Sequence, residues 1–197
     1  MLFNNFVKTV IVLSLPHRVD RQVLLNQSFS RYSSTDVTIH YVWGKLCQED
    51  GEKCAMESWL KMFRNSIQFN HFPVLFVEDD VDFKEHSHLP PLPQNWSILS
   101  IASVHHDPAK CQYLRQSTLV KADGWKNWGN AAILMKSKSV VEDILKELQK
   151  PKYARHKTLD MKLFATRYEH VWIVCPPILH WVSSYSDVLR KHRDGNG

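Results

Sequence analysis

Two spacings of apolar residues alternate along this chain. Short continuous apolar runs suit strands buried on both faces. They occur at Lys8–Leu15 (KTVIVLSL), Val37–Trp43 (VTIHYVW), Pro73–Val77 (PVLFV), Ser97–Ser103 (SILSIAS), Asn130–Met135 and Val171–Cys175 (VWIVC). Helical spacing fills much of the rest. Met56, Trp59, Leu60, Phe63 and Ile67 form one stripe over Met56–Phe69, with Lys61, Arg64 and Gln68 off it. Val140, Val141, Ile144, Leu145 and Leu148 form another over Ser139–Gln149, opened by a capping box, Ser139-x-x-Glu142. His17–Phe29 reads as a helix with Val19, Val23 and Leu24 on its apolar side. Thr158 can cap a short helix to about Tyr168, with Asp160 in its first turn. Strands alternating with helices predict an α/β fold with a mainly parallel central sheet flanked by helices.

The segments between these elements read as loops. Lys84–Asn95 holds three prolines and two histidines. His105–Trp128 is long, irregular and too polar for core, and loops of this length are usually functional or disordered. A chain of 197 residues suits one domain, taken as 1–189, with the polar stretch 190–197 as a flexible tail or the start of a linker. Hydrophobic residues are 44% and charged residues 23%, ordinary for a soluble globular protein. No apolar run approaches the ~20 residues of a membrane span, so no transmembrane segment is expected. The net charge of +5 is compatible with a phosphate-bearing ligand, but the basic residues are scattered, and no nucleic-acid partner is expected. Cys47, Cys54, Cys111 and Cys175 form no CxxC pair. They read as reduced thiols in a cytoplasmic protein, with a Cys47–Cys54 bridge as the alternative.

The strand Pro73–Val77 runs into Glu78, Asp79, Asp80 and, after Val81, Asp82. Four carboxylates in five positions repel one another and are costly to desolvate. Two readings follow: a solvated acidic turn after a core strand, or a site for a cation at the strand's carboxyl end, where open α/β sheets bind ligands. Oxygen ligands of this kind suit Mg2+ or Mn2+.

Four segments in order resemble the GT-A glycosyltransferases, in pattern the lipopolysaccharide-type family 25, and also small glycosyltransferases of algal large DNA viruses. VIVLSLPHRVDR (Val10–Arg21) is similar to that family's opening strand, Leu-Pro and Arg-x-x-Asp-Arg. Glu57–Asp82 is similar to its helix, strand and Glu-Asp-Asp. Gly124–Leu145 is similar to its glycine-containing segment, strand and helix, and Thr158–His180 to its late Asp-bearing helix and closing strand. The chain is shorter than the family, and its Lys84–Asn95 and His105–Lys126 loops match nothing in it.

The resemblance implies a Rossmann-like nucleotide-diphospho-sugar transferase of hexosyltransferase type. It would move a sugar from a nucleoside diphosphate sugar, UDP-linked, to a glycan or glycoprotein acceptor with inversion, using Mn2+ or Mg2+. A viral source would place it in the host cytoplasm. Asp80 falls at the metal-ligating position, and Glu78 and Asp79 would contact ribose or metal-bound water. Asp82 is an additional ligand or a surface charge. His180 is a further metal ligand or a core histidine beside Trp181. Leu15, Arg18 and Arg21 would border base and ribose, with a guanidinium able to reach the phosphates. Trp43 and Gly44 are further candidates for the nucleotide pocket. Asp160 would be the general base; the plain account is a carboxylate complementing the helix dipole. Trp125 and Trp128 suit stacking on sugar rings or packing under a loop.

Two other functions stay open. A metal-dependent phosphoesterase or nuclease would need further ligands for a second ion, for which Asp107 and His105-His106 are at hand. A non-catalytic carbohydrate-binding module would use the tryptophans and not the carboxylates.

Overall fold

A computed structural model describes residues 6–32, 37–45, 51–83, 89–102, 104–105, 118–121, 127–128, 131–150, 170–181, 184–186 and 191–193. The apolar runs became strands within a few residues of the expected places: β1 (Thr9–Ser14), β2 (Thr38–Trp43), β3 (Val74–Glu78), β5 (Ile98–Ser100), β9 (Ala132–Met135) and β10 (Val171–Cys175). With β7 (Thr118–Lys121) they form one seven-stranded sheet in the order β2-β1-β3-β9-β5-β10-β7. Five strands run one way; β9 and β7 run the other. The sheet is therefore mostly parallel, as expected. β9 lies antiparallel to both of its neighbours, β3 and β5.

Alternation along the central strands splits the core into two layers. Ile11, Leu13, Val74 and Phe76 face one side, where Met56, Trp59 and Phe63 of α2 (Gly51–Ser66) meet Val141, Ile144 and Leu145 of α3 (Lys138–Leu148). Val10, Val12, Leu75 and Val77 face the other side, against Leu25 and Phe29 of α1 (Val19–Tyr32). Each buried aliphatic or aromatic side chain contributes about 1.5–3 kcal/mol. The apolar stripes of α2 and α3 are thus the core stripes that their spacing predicts.

Four readings need correction. The apolar side expected for α1 is its outer side: Val19, Val23 and Leu24 are 59%, 48% and 52% exposed. The buried stripe is Arg21, Leu25, Ser28 and Phe29. The cap of α3 is not Ser139 but Ser137, whose hydroxyl accepts from Val140 N at 3.4 Å. Ser137→Ala should cost about 0.5–2 kcal/mol, and Ser139→Ala less than about 0.5 kcal/mol, as read from urea denaturation. The stretch read as an irregular loop holds β7, which joins the sheet's edge beside β10, and two short strands that pair with each other, β6 (Val104–His105) and β8 (Asn127–Trp128). Finally, Cys54 and Cys175 are both disulfide-bonded, so the reduced-thiol reading does not hold for them.

At the chain's far end β13 (Lys191–Arg193) pairs with β12 (Ser184–Ser186), so the polar tail contains paired backbone. The short helix expected at Thr158–Tyr168, with Asp160, and Trp125 lie outside the described residues. No described helix is long and apolar enough to cross a membrane.

Candidate functional site

The carboxyl ends of β1, β2 and β3 lie side by side: Ser14 is paired with Trp43, and Leu13 with Glu78. β9 enters the sheet at the same edge, where Glu78 N donates to Ala131 O at 2.8 Å. After Ser14 the chain turns through Leu15–Arg18, closed by Arg18 N to Leu15 O at 3.0 Å, and enters α1. The edge therefore collects Leu15, Arg18, Arg21, Trp43, Glu78, Asp79 and Asp80, all candidates from the sequence.

The carboxylates are tolerated because other side chains partner them. Asp79 accepts from Ser14 Oγ at 2.5 Å and from Arg21 Nη1 at 3.1 Å. Arg21 Nη1 also lies 3.8 Å from Asp80 Oδ2. The three charged residues are 9%, 7% and 6% exposed, so the pairing takes place away from water. Gln22 Nε2 donates to Ser14 Oγ and to Leu15 O, each at 3.2 Å, which fixes the hydroxyl that serves Asp79. Glu78 accepts from Trp59 Nε1 at 3.0 Å. Asp82 accepts from Ser28 Oγ and from Phe83 N, and Arg31 Nη2 stands 3.8 Å away. The cation that the acidic run calls for is thus partly the protein's own, delivered by α1.

This explains the misread face of α1. Arg21 and Ser28 occupy its buried stripe because they partner Asp79 and Asp82, so half of the stripe is polar. Ser14, Gln22, Ser28, Trp59 and Arg31 were not singled out for the site from sequence. The available signal was a serine ending an apolar strand and an Arg-x6-Ser spacing threaded through Leu25 and Phe29.

Asp82 is directed to α1, where it ties β4 (Val81–Phe83) to the helix. His180 lies on β11 (Leu179–Trp181), directly opposite Asp82 across the antiparallel β4–β11 pair. Its Nδ1 is buried and has no hydrogen-bond partner among the described residues. Trp43 is 44% exposed at the end of β2, stacked on Tyr41 with ring centroids 5.5 Å apart and planes 14° apart. Burial raises the Tyr41 hydroxyl above its ordinary pKa; the bond to Asn26 works against this, and the charge of Asp79 adds to it. Gly44 follows close behind: a Cβ there would stand 3.3 Å from Ser58 Oγ and 3.4 Å from Leu13 Cδ1.

Among the described residues no three His, Cys, Asp or Glu side chains come together as a metal-holding group. Among the described residues a divalent ion beside Asp80 would find few protein ligands, with water and phosphate oxygens as the remainder. That donor set fits Mg2+ and Mn2+, which bind through one or two carboxylates plus substrate phosphates.

No protein-family model and no curated protein matches the chain. A solved structure does. It is a glycosyltransferase involved in the glycosylation of the major capsid of PBCV-1. The two superpose with a TM-score of 0.55 over 87% of this chain and 82% of that one, at 7% identity. The two chains share a fold.

Proposed function

We propose that this chain is a GT-A glycosyltransferase that moves a sugar from a nucleoside diphosphate sugar, UDP-linked, to a glycan or glycoprotein acceptor. The observation that carries this reading is a buried, arginine-compensated acidic run at the carboxyl end of a central strand, within a fold shared with a glycosyltransferase. The phosphoesterase reading would place a second ion with Asp107 and His106, which lie outside the described residues.

In this reading Leu15, Arg18 and Trp43 border the base and ribose, and Glu78 and Asp79 hold the edge of the ribose pocket. Asp79 does so while pinned by Ser14 and Arg21. Mn2+ or Mg2+, held by Asp80, would supply neutralisation of the diphosphate leaving group. His180 is kept as a further ligand candidate because its buried Nδ1 has no hydrogen-bond partner among the described residues; Asp82 is assigned to anchoring α1. Asp160 takes the acceptor hydroxyl's proton as the acceptor oxygen bonds to the anomeric carbon and the bond to the diphosphate breaks, with inversion.

A thermal-shift screen with UDP, GDP and CMP sugars, with and without Mn2+, tests the proposal. A donor at 100 times its Kd adds about 2.7 kcal/mol, which raises the melting temperature of a chain this size by roughly 5–10 °C. Stabilisation by one nucleotide sugar that depends on metal supports the reading. A shift with free saccharide alone would favour a carbohydrate-binding module.

Trp43→Ala separates binding from folding. The ring is half exposed, so stability should change by less than about 0.5 kcal/mol. If it stacks on the donor base, a loss of roughly 1–3 kcal/mol follows, about 5- to 150-fold in affinity. Titration calorimetry on the variant reads this directly.

A further inference from the structure

The sequence holds two Asn-x-Ser tripeptides, Asn26-Gln27-Ser28 and Asn95-Trp96-Ser97. Such a tripeptide accepts an N-linked glycan only where the chain passes through a secretory lumen and the asparagine sits on the surface. The disulfides bear on the first condition. Cys54 and Cys175 are both disulfide-bonded, and at 6% and 1% exposure both are buried. Redox-sensing cysteines are solvent-accessible. Disulfides anchored at buried cysteines on α2 and at the end of β10 read as structural, and structural disulfides belong to oxidising compartments.

Both asparagines are exposed, and what separates the two tripeptides is the local backbone and the access to the serine hydroxyl. Asn95 is exposed, in a turn before β5, with Trp96 N bonded to Pro93 O at 3.1 Å. Its Nδ2 lies 3.2 Å from His170 Nδ1 at the surface. Asn26 instead sits within α1, its Oδ1 accepting from Tyr41 Oη at 2.9 Å. The Ser28 hydroxyl of that tripeptide is fully buried on Asp82. Asn95 also precedes the amino end of a strand that runs parallel to β1 and β3. It is therefore at the sheet edge opposite the candidate site, where a bulky chain leaves the site open.

We propose that this chain folds in an oxidising secretory lumen and carries an N-linked oligosaccharide on Asn95. The donor class is a polyprenyl diphosphate oligosaccharide. The bond from Asn95 Nδ2 to the sugar's C1 forms, and the bond from C1 to the diphosphate oxygen breaks. Polyprenyl diphosphate leaves, and one Nδ2 proton passes to a base of the transferring enzyme. The amide keeps its second N–H, which is enough for the contact with His170.

The test is to secrete the full chain from eukaryotic cells and measure its intact mass before and after peptide N-glycosidase. Maleimide labelling in denaturant, without reductant, counts free thiols. The expected result is loss of a single glycan mass, with Asn95 converted to Asp, and no label on Cys54 or Cys175. Asn95→Gln and Ser97→Ala should remove the glycan, Asn26→Gln should retain it, and Asn95→Gln should leave melting temperature and donor-induced stabilisation unchanged. Unmodified Asn95 in secreted, disulfide-intact protein overturns the proposal, as does a glycan on Asn26 instead. So does a chain that fails to be secreted yet folds identically in a reducing cytosol with Cys54 and Cys175 free.

Discussion

Asp80→Ala is expected to abolish the metal-dependent part of donor binding while leaving the fold in place. Arg21 makes its close contact with Asp79, at 3.1 Å, and stands farther from Asp80, at 3.8 Å. Removing Asp80 therefore leaves the buried guanidinium with a partner, and the stability change should stay within about 1 kcal/mol. The donor should lose its stabilisation altogether, about 2.7 kcal/mol at 100 times the wild-type Kd. The check is the melting temperature of wild type and variant with UDP-sugar and Mn2+, then without Mn2+. A variant that still gains several degrees from donor and Mn2+ together would remove Asp80 from the site.

Arg21→Met should be the most damaging single change to folding. The methionine fills much of the same space, but Asp79 and Asp80 then remain buried without the guanidinium that compensates them. Breaking a buried pair by removing one partner costs about 3–5 kcal/mol, because the surviving charge keeps its desolvation penalty. For a chain of this size the melting temperature should fall by roughly 6–20 °C. Arg21→Met combined with Asp79→Asn should recover a good part of the loss, since it removes the stranded charge. Urea denaturation of both variants gives the comparison. Equal stabilities for Arg21→Met and wild type would mean that the ion pair is not what holds α1 on the acidic run.

Much of the fold was legible because hydrophobic spacing reports burial. β3, β10 and the stripes of α2 and α3 lie where the apolar residues put them. Legibility failed where burial was polar. α1 buries Arg21 and Ser28 against carboxylates some fifty residues away, so its apolar residues were free to face outward. The α3 cap was misread because two serines stand two residues apart, and only the extended backbone at Ser137 selects between them. β7 was missed because an edge strand of four residues, TLVK, buries too little to show a pattern. The pairing of cysteines depends on the folded path and not on their spacing. The acidic run was legible as a candidate site; what neutralises it was not.

The most direct test of the central claim is release of nucleoside diphosphate from a panel of nucleotide sugars, with acceptor glycans present and absent. The account predicts Mn2+- or Mg2+-dependent release from one of them, UDP-linked, faster with an acceptor and lost in Asp80→Ala. Release that is equal in wild type and Asp80→Ala, or no release from any nucleotide sugar by a chain that binds free saccharide, would contradict it.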